Sequence, residues 1–232
     1  SHKFPDTLSG CGIQPCGFTN LDMAWDYQKK HKPMDMNRWA LIFHPGGYRN
    51  VISEPNDSKE ICYTKQKNFI ERICLPLIQS GYTPIIKIHP LRAKFHDLKD
   101  LEKIVASIEI EKNLDKGSII CIGPESWYWK YALHSNAIFT FGSSSIYELW
   151  SAGLRNVFVC NFEGQNRSKR FDFFESIFIN TYQEYLNVVS TETFDNLDFD
   201  PLTSKVFKAY HNLFNGHSTE TAYAVIEKEL ES

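Results

Sequence analysis

The sequence lacks the features of several protein classes. Its 232 residues carry 25 Lys and Arg against 28 Asp and Glu, whereas nucleic-acid-binding domains are usually basic. No apolar stretch reaches the roughly 20 residues that a membrane-spanning helix needs. No basic segment followed by an apolar core marks a signal peptide. We therefore expect no nucleic-acid partner and a cytoplasmic location.

Cysteine is sparse and poorly spaced for metal binding. Of the six cysteines, only Cys11 and Cys16 are close together, and no second His or Cys pair follows at zinc-finger spacing. Cys121 and Cys160 sit inside apolar runs and are predicted to be buried thiols. The sequence predicts no metal site and no cofactor, and this cysteine usage fits a reducing compartment.

Common nucleotide and nucleophile motifs are also missing. The chain has no G-x4-G-K-[ST] loop, and no G-x-G-x-x-G follows its first predicted strand. The run that begins at Gly142 lacks the second Gly of a G-x-S-x-G nucleophile elbow. These absences argue against a P-loop nucleotidase, a typical dinucleotide-binding enzyme and a serine hydrolase of the elbow type.

What the sequence has is a repeated alternation of short apolar runs and helical patterns. Residues 1–37 show no clear period and are predicted to be an irregular segment or linker, while residues 38–232 are predicted to form one domain. Strands are expected at 39–43, 83–88, 118–122, 137–140, 156–160 and 177–179, and helices at 64–80, 97–108, 125–134, 144–152, 181–189, 203–214 and 218–230. This alternation predicts an α/β fold with a Rossmann-like parallel sheet and helices on both faces.

A serine-rich turn follows the fourth predicted strand, where ligands of parallel sheets bind. It contains Gly142, Ser143, Ser144 and Ser145, so the hydroxyls and the unpaired amides of a helix start would suit a phosphate. Alternatively, one serine caps the helix and the others are small packing residues. Glu148 either accepts hydrogen bonds from ribose hydroxyls or is a first-turn acid favoured by the helix dipole.

Two further loops follow predicted strands. His89 ends the second strand, and Pro90 fixes it in extended geometry, where it can donate to a phosphate oxygen. After the first strand, Gly46 and Gly47 allow close backbone approach and Arg49 can pair with phosphate. A structural histidine and a plain turn are the alternatives.

Two other clusters have open interpretations. Arg167, Lys169 and Arg170 follow the fifth strand and either close over a diphosphate or acidic acceptor or form a solvated basic loop. The aromatic residues within 127–131 either flank a base or pack as core or interface aromatics.

The segment Lys87-Ile-His-Pro90, taken with Phe141-Gly-Ser-Ser-Ser-Ile-Tyr-Glu148, resembles the donor half of GT-B glycosyltransferases. It is most similar to those with CMP- or CDP-linked donors: bacterial sialyltransferases, capsule Kdo transferases and the CDP-glycerol glycerophosphotransferases of teichoic acid synthesis. The resemblance covers roughly residues 38–180 and implies that the chain is one GT-B half.

The resemblance also implies roles for individual residues. His89 and Pro90 match the His-Pro motif, and two of the three serines at 143–145 match the Ser-Ser motif that holds the CMP phosphate and nucleotide. Glu148 matches a ribose-binding glutamate. The loop with Gly46 and Gly47 falls where the first donor-domain loop approaches the phosphates.

As a whole, the resemblance implies an inverting, metal-independent, nucleotide-sugar-dependent glycosyltransferase of bacterial surface polysaccharide biosynthesis, of capsule, lipopolysaccharide or teichoic acid type. Its partners would be a nucleotide-sugar donor and a glycan or lipid-linked acceptor, with the inner face of the membrane as an alternative location. Catalytic residues are not assigned, because in the sialyltransferases the catalytic Asp or Glu lies in an N-terminal Rossmann domain. The 37 residues before the first predicted strand are too few for such a domain. We therefore expect a fragment, a separate acceptor chain or an incomplete transferase.

Three other interpretations stay open at this point. A UDP-sugar 2-epimerase of GT-B shape also places Ser and Glu at this strand-to-helix turn. A non-catalytic nucleotide- or glycan-binding module would keep the fold without the transfer reaction. A solitary α/β domain would carry the motifs by accident and bind no cytidine nucleotide.

Overall fold

The structure is a computed structural model, and it describes residues 21–31, 38–45, 57–88, 98–141, 143, 145–162, 178–191, 194, 217, 219–220 and 222–224. Its helices with described bounds are α1 (Asp22–Lys30), α2 (Lys59–Gln79), α3 (Leu98–Glu111), α4 (Trp129–Ala132), α5 (Ser145–Ser151) and α6 (Tyr182–Thr191). Its strands are β1 (Trp39–Phe43), β2 (Thr83–Lys87), β3 (Ile120–Ile122), β4 (Ser135–Thr140), β5 (Val157–Cys160) and β6 (Phe178–Ile179). Among the helices of these ranges, none is long and apolar enough to cross a membrane.

The strands form one six-stranded sheet in the order β3-β2-β1-β4-β5-β6. Every neighbouring pair is parallel. Because β1 lies at the centre, the chain builds outward to β3 on one side and then returns to β4 on the other. This is the order of a doubly wound nucleotide-binding sheet.

The two faces of the sheet pack against different helices. Ala40 and Ile42 of β1 join one core with α2, α3 and α6, whereas Leu41 and Phe43 join a second core with α1, α4 and α5. Successive side chains of a strand point to opposite faces, and burial of both faces explains why β1 is continuously apolar. The predicted α/β class, with a Rossmann-like parallel sheet covered on both faces, is confirmed.

Two glycines end helices where the sequence predicts it. Gly81 and Gly153 follow α2 and α5 with φ of 79° and 80°, a conformation that costs residues with a Cβ roughly 1–2 kcal/mol. After α2, the amide of Gly81 donates to Ile78 O and that of Tyr82 donates to Leu77 O. This pair of bonds satisfies the last carbonyls of the helix and turns the chain into β2.

A proline inside α2 explains how α6 is attached. Pro76 has no N–H for the carbonyl of Arg72, four residues earlier. That carbonyl accepts a 3.0 Å hydrogen bond from the hydroxyl of Tyr182, and the carbonyl of Ile73 accepts one of 2.6 Å from Tyr185. Both tyrosines belong to α6, so the interrupted helical ladder fixes this helix against α2.

The structure differs from the sequence prediction within residues 1–37. Instead of an irregular segment throughout, it contains α1 at Asp22–Lys30. Leu21 and Ala24 are buried in the core that α4 and α5 share, so this helix packs against the sheet domain. The sequence signal is weak, because Leu21 at the N-cap offers no side-chain cap and few residues of the helix are apolar. The predicted helix at 203–214 and most of that at 218–230 lie outside the described residues.

Candidate functional site

The candidate site lies at the carboxyl ends of β1 and β4, where the strand order reverses. Ligands of open α/β sheets bind in the crevice outside this switch point. His44 follows β1 and Ser143 follows β4, and both line a cleft of ≈ 490 Å³. The cleft opens on the face of the sheet that carries α1, α4 and α5. Its lining residues are Met23, Phe43, His44, Lys87, Ile88, Pro124, Glu125, Ser126, Trp127, Tyr128, Trp129, Ser143 and Ser145.

Two serines of the predicted phosphate turn lie in this cleft and are joined to each other. The hydroxyl of Ser143 accepts a 3.3 Å hydrogen bond from the amide of Ser145 and donates to its hydroxyl over 3.2 Å. Ser143 therefore fixes the turn that leads into α5, two residues before the first residue of the helix. This agrees with the alternative interpretation in which a serine shapes the start of the helix. It does not replace the functional one, because both side chains also reach the cleft.

Glu148 lies one turn into α5 and is tied to the opposite side of the site. Its Oε2 accepts a 2.8 Å hydrogen bond from the hydroxyl of Tyr128. Burial raises the pKa of Tyr128, and the neighbouring carboxylate of Glu148 raises it further. The phenol therefore stays protonated and remains a donor throughout the ordinary pH range.

Lys87 contributes a buried cation to the same cleft. It is the last residue of β2 and is only 5% exposed. Its Nζ donates to the carbonyls of Gly123 and Pro124 over 2.6 Å each. Burial lowers the pKa of Lys87, and the nearby Glu125 offsets part of that effect. The ammonium fastens the segment after β3 to the end of β2.

His44 is held rigidly at the end of β1. Its backbone amide donates to Lys87 O over 3.0 Å, which continues the β1–β2 ladder by one residue. The imidazole is buried and lies edge-to-face with Phe69, at a centroid distance of 5.7 Å. These contacts define the position of His44 at the edge of the cleft.

The predicted aromatic cluster divides between the core and the cleft. Trp129 is buried in the core, while Tyr131 packs beside Trp39 at 5.7 Å. Trp127 and Tyr128 face the cleft. Tyr128 meets Phe43 edge-on at 5.1 Å. Packing explains most of these contacts, and Trp127 and Tyr128 form, with the buried Trp129, an apolar wall beside the polar groups.

Of the predicted site residues, the structure describes Ser143, Ser145 and Glu148 and brings all three to this corner of the fold. Others lie outside the described residues, and their assignments stay predictions: Gly46, Gly47, Arg49, His89, Pro90, Gly142 and Ser144, together with the basic residues Arg167, Lys169 and Arg170.

Lys87 and Tyr128 line the cleft, and the sequence prediction assigns neither of them an individual role in the site. In the sequence, Lys87 stands out only as part of the motif that leads to His89, although a lysine at the end of an apolar strand is unusual and is itself a signal. Tyr128 lies among other aromatic residues, and nothing local distinguishes it from them. Among the described residues, no three His, Cys, Asp or Glu side chains come together in a metal-binding group.

The comparisons with known proteins support the fold. No family model matches the sequence, and no curated protein matches it either. The structure of Methanocaldococcus jannaschii UDP-GlcNAc 2-epimerase in complex with UDP-GlcNAc and UDP matches with a TM-score of 0.50 and 17% identity, over 96% of this chain and 58% of that one. The wall teichoic acid polymerase TagF matches with a TM-score of 0.44 and 12% identity, over 94% of this chain and 51% of that one.

The chain therefore spans somewhat more than half the length of these two proteins. The likeness to the epimerase is one of fold, and it agrees with the doubly wound sheet.

Proposed function

We propose that this chain is the donor-binding half of a nucleotide-sugar-dependent glycosyltransferase. The observation that carries the proposal is the cleft at the β1–β4 switch point. Ser143, Ser145 and Tyr128 line this cleft, and Tyr128 donates a hydrogen bond to Glu148 beside it. It combines hydroxyl donors, a carboxylate and an apolar wall. A nucleotide needs such groups for its phosphate, its ribose and its base.

The cleft residues have separate roles in this proposal. On ligand binding the hydroxyl of Ser143 exchanges its bond to Ser145 for one to a phosphate oxygen. The hydroxyl of Ser145 and His89 of the His-Pro motif donate to phosphate oxygens as well. Glu148 accepts from ribose hydroxyls while Tyr128 holds it. These donors would stabilise the negative charge that develops on the leaving nucleotide, without a metal ion. The base that activates the acceptor hydroxyl in an inverting transfer would come from another domain or chain.

The comparison with the epimerase supports a nucleotide-sugar ligand. That protein binds UDP-GlcNAc and UDP, and the shared fold covers 96% of this chain and 58% of the epimerase. We propose a CMP- or CDP-linked donor, because the paired His-Pro and Ser-Ser motifs resemble those of cytidine-nucleotide enzymes. The corresponding process is bacterial surface polysaccharide synthesis, with a glycan or lipid-linked acceptor.

The same comparison favours one alternative, a UDP-sugar 2-epimerase. Both reactions would use the serine turn and a glutamate at the start of the following helix. They differ in the base of the nucleotide and in the need for an acceptor. Selectivity for uridine over cytidine nucleotides would favour the epimerase, and binding without turnover would favour a non-catalytic module.

Thermal unfolding of this chain with nucleotides tests the proposal. CMP, CDP, UDP, GDP and ADP are each added at about 1 mM, with and without Mg²⁺, because a ligand that binds the native state raises Tm by mass action. We expect CMP or CDP to raise Tm equally with and without the metal. A shift with UDP alone would favour the epimerase, and no shift with any nucleotide would contradict nucleotide binding by this chain.

The serine turn has a matched control. Ser143→Ala removes the hydroxyl that accepts from the first amide of α5 and that also lines the cleft. Ser58→Ala removes only the cap of α2, where the Ser58 hydroxyl accepts from the amide of Ile61 over 3.2 Å. Both variants should lose about 1 kcal/mol of stability. Only Ser143→Ala should also lose much of the nucleotide-induced shift. Equal shifts in the two variants would remove Ser143 from the binding site.

A further inference from the structure

Lys87 lies at the end of β2 and lines the candidate cleft. Its register partners in the sheet are Phe43 on β1 and Ile122 on β3. Its neighbours Ile86 and Ile88 belong to the core on the opposite face, so alternation directs Lys87 to the cleft face. The side chain lines the cleft and is almost wholly buried.

The ammonium of Lys87 is hydrogen-bonded but is not neutralised by the described residues. Two of its three N–H groups are accounted for by the carbonyls of Gly123 and Pro124. Within the described ranges, no carboxylate lies at salt-bridge distance from the Lys87 ammonium. Glu125 is exposed and attracts the ammonium only from farther away.

A buried charge without a counter-ion is costly, because carbonyl dipoles replace only part of its hydration. A residue that carries such a cost in stability is typically found at a functional position. Here the cation shares a cleft with the hydroxyls of Ser143 and Ser145. A cation beside hydroxyl donors is complementary to an anion with several oxygen acceptors, and a lysine serves phosphate as a compact point charge.

We infer that Lys87 supplies the positive charge that neutralises the phosphate group of the nucleotide ligand in this cleft. This inference rests on the proposed function and extends it, since neither the motif pair nor the predicted roles assign anything to Lys87. The ligand must then be phosphorylated, and the nucleoside portion contributes separately, along the wall that contains Tyr128.

Calorimetric titration with cytidine, CMP, CDP and inorganic pyrophosphate tests this role. Lys87→Gln keeps an amide that can donate to the two carbonyls but removes the charge, and Lys87→Met removes both. We expect each variant to bind CMP and CDP about 10- to 100-fold more weakly, as loss of a charge-assisted hydrogen bond implies. Cytidine affinity should stay unchanged in Lys87→Gln, which can still donate to the two carbonyls, and should fall less than CDP affinity in Lys87→Met. Lys103→Met serves as the control, because Lys103 is exposed on α3.

The other outcomes separate the inference from the proposed function. Equal losses for cytidine and CDP would mean that Lys87 only clamps the segment after β3, and the inference would be wrong. If wild-type chain binds pyrophosphate through Lys87 but no nucleoside or nucleotide, the anion site stands and the proposed function fails. If it binds neither nucleotides nor pyrophosphate, both fail. If circular dichroism shows that neither variant folds, the salt dependence of binding to the wild-type chain is measured instead. A CDP affinity that falls no faster with salt than the cytidine affinity would overturn the inference.

Discussion

The hydroxyl of Tyr128 lies 2.8 Å from Oε2 of Glu148 and donates to it. This bond connects the segment after β3 to the first turn of α5, and both of these elements contribute residues to the candidate cleft. At its other end the same segment is held by Lys87 through the carbonyls of Gly123 and Pro124. The segment between these two attachments includes Glu125, and both attachments determine the position of the segment.

Removal of the Tyr128 hydroxyl should reveal the strength of this connection. Tyr128→Phe deletes a hydrogen bond to a charged acceptor and should lower the free energy of unfolding by about 1.5–3 kcal/mol, measured by urea denaturation. Tyr131→Phe is the matched control, because its hydroxyl has no hydrogen bond within the described part of the chain, and it should change stability by less than about 0.5 kcal/mol. Equal effects of the two substitutions would show that the Tyr128–Glu148 bond contributes nothing in solution.

Much of the fold could be predicted because its strands are buried on both faces. The strand at Trp39–Phe43 agrees with its prediction residue by residue, since a two-sided apolar run has few alternatives. The ends of α2 and α5 were predictable from Gly81 and Gly153, whose left-handed backbone suits glycine. These signals are local, so they can be read without knowing the sheet order.

Other features depend on contacts between distant segments. The start of α2 at Lys59 precedes the predicted position of 64. Its first turns face solvent, with Ile61 and Tyr63 exposed, so they do not extend the apolar stripe and only the cap Ser58 marks the start of the helix. The pairing of Tyr128 with Glu148 and the burial of Lys87 exist only because β1 lies between β2 and β4. No local spacing encodes the order of the strands. The sequence could therefore predict that the cleft lies at the carboxyl edge of the sheet, but it could not predict all of the side chains that line it.

A second prediction concerns the carboxylate that organises the turn between α3 and β3. Glu109 is only 7% exposed, and its Oε1 accepts from the amides of Gly117 and Ile119 over 3.0 and 3.2 Å. Glu109→Ala leaves both amides without this acceptor and should cost about 2–4 kcal/mol of unfolding free energy. Glu109→Gln retains an oxygen acceptor and should cost less.

The control for this prediction is Glu111→Ala. Glu111 lies two residues further along α3 and forms an exposed ion pair with Lys67, and such pairs contribute little. Its removal should change the urea midpoint far less than Glu109→Ala. Comparable changes for both glutamates would mean that the turn before β3 does not depend on Glu109.

The third prediction concerns the cysteines. Burial raises the pKa of Cys74 and Cys160, and it raises that of Cys121 to about 12. The thiolate is the reactive form, so iodoacetamide at about pH 8 should modify partly exposed Cys62 well before these three. Peptide mass spectrometry of native and urea-unfolded protein measures each site. Labelling of Cys160 as fast as Cys62 in native protein would contradict the burial of β5.

The last prediction concerns the pH dependence that Lys87 gives to stability. Burial lowers the pKa of Lys87 below the 10.5 of an exposed lysine, so between these two values the unfolded chain binds more protons than the folded one. The contribution of Lys87 to the free energy of unfolding should therefore increase as pH rises through that window. Urea unfolding of wild type and Lys87→Met is measured at successive pH values up to about 10. The difference between their free energies of unfolding isolates Lys87, because the tyrosines titrate in both proteins and their contributions cancel.

Two additions make that measurement specific. Lys103→Met, at an exposed position, should show a difference from wild type that does not change with pH. Saturating inorganic pyrophosphate should flatten the trend for Lys87, because a bound anion stabilises the charged ammonium and returns its pKa toward the ordinary value. A wild-type advantage that shrinks as pH rises without any anion would mean that the folded chain already neutralises Lys87, and that the cleft does not hold an unpaired cation ready for phosphate.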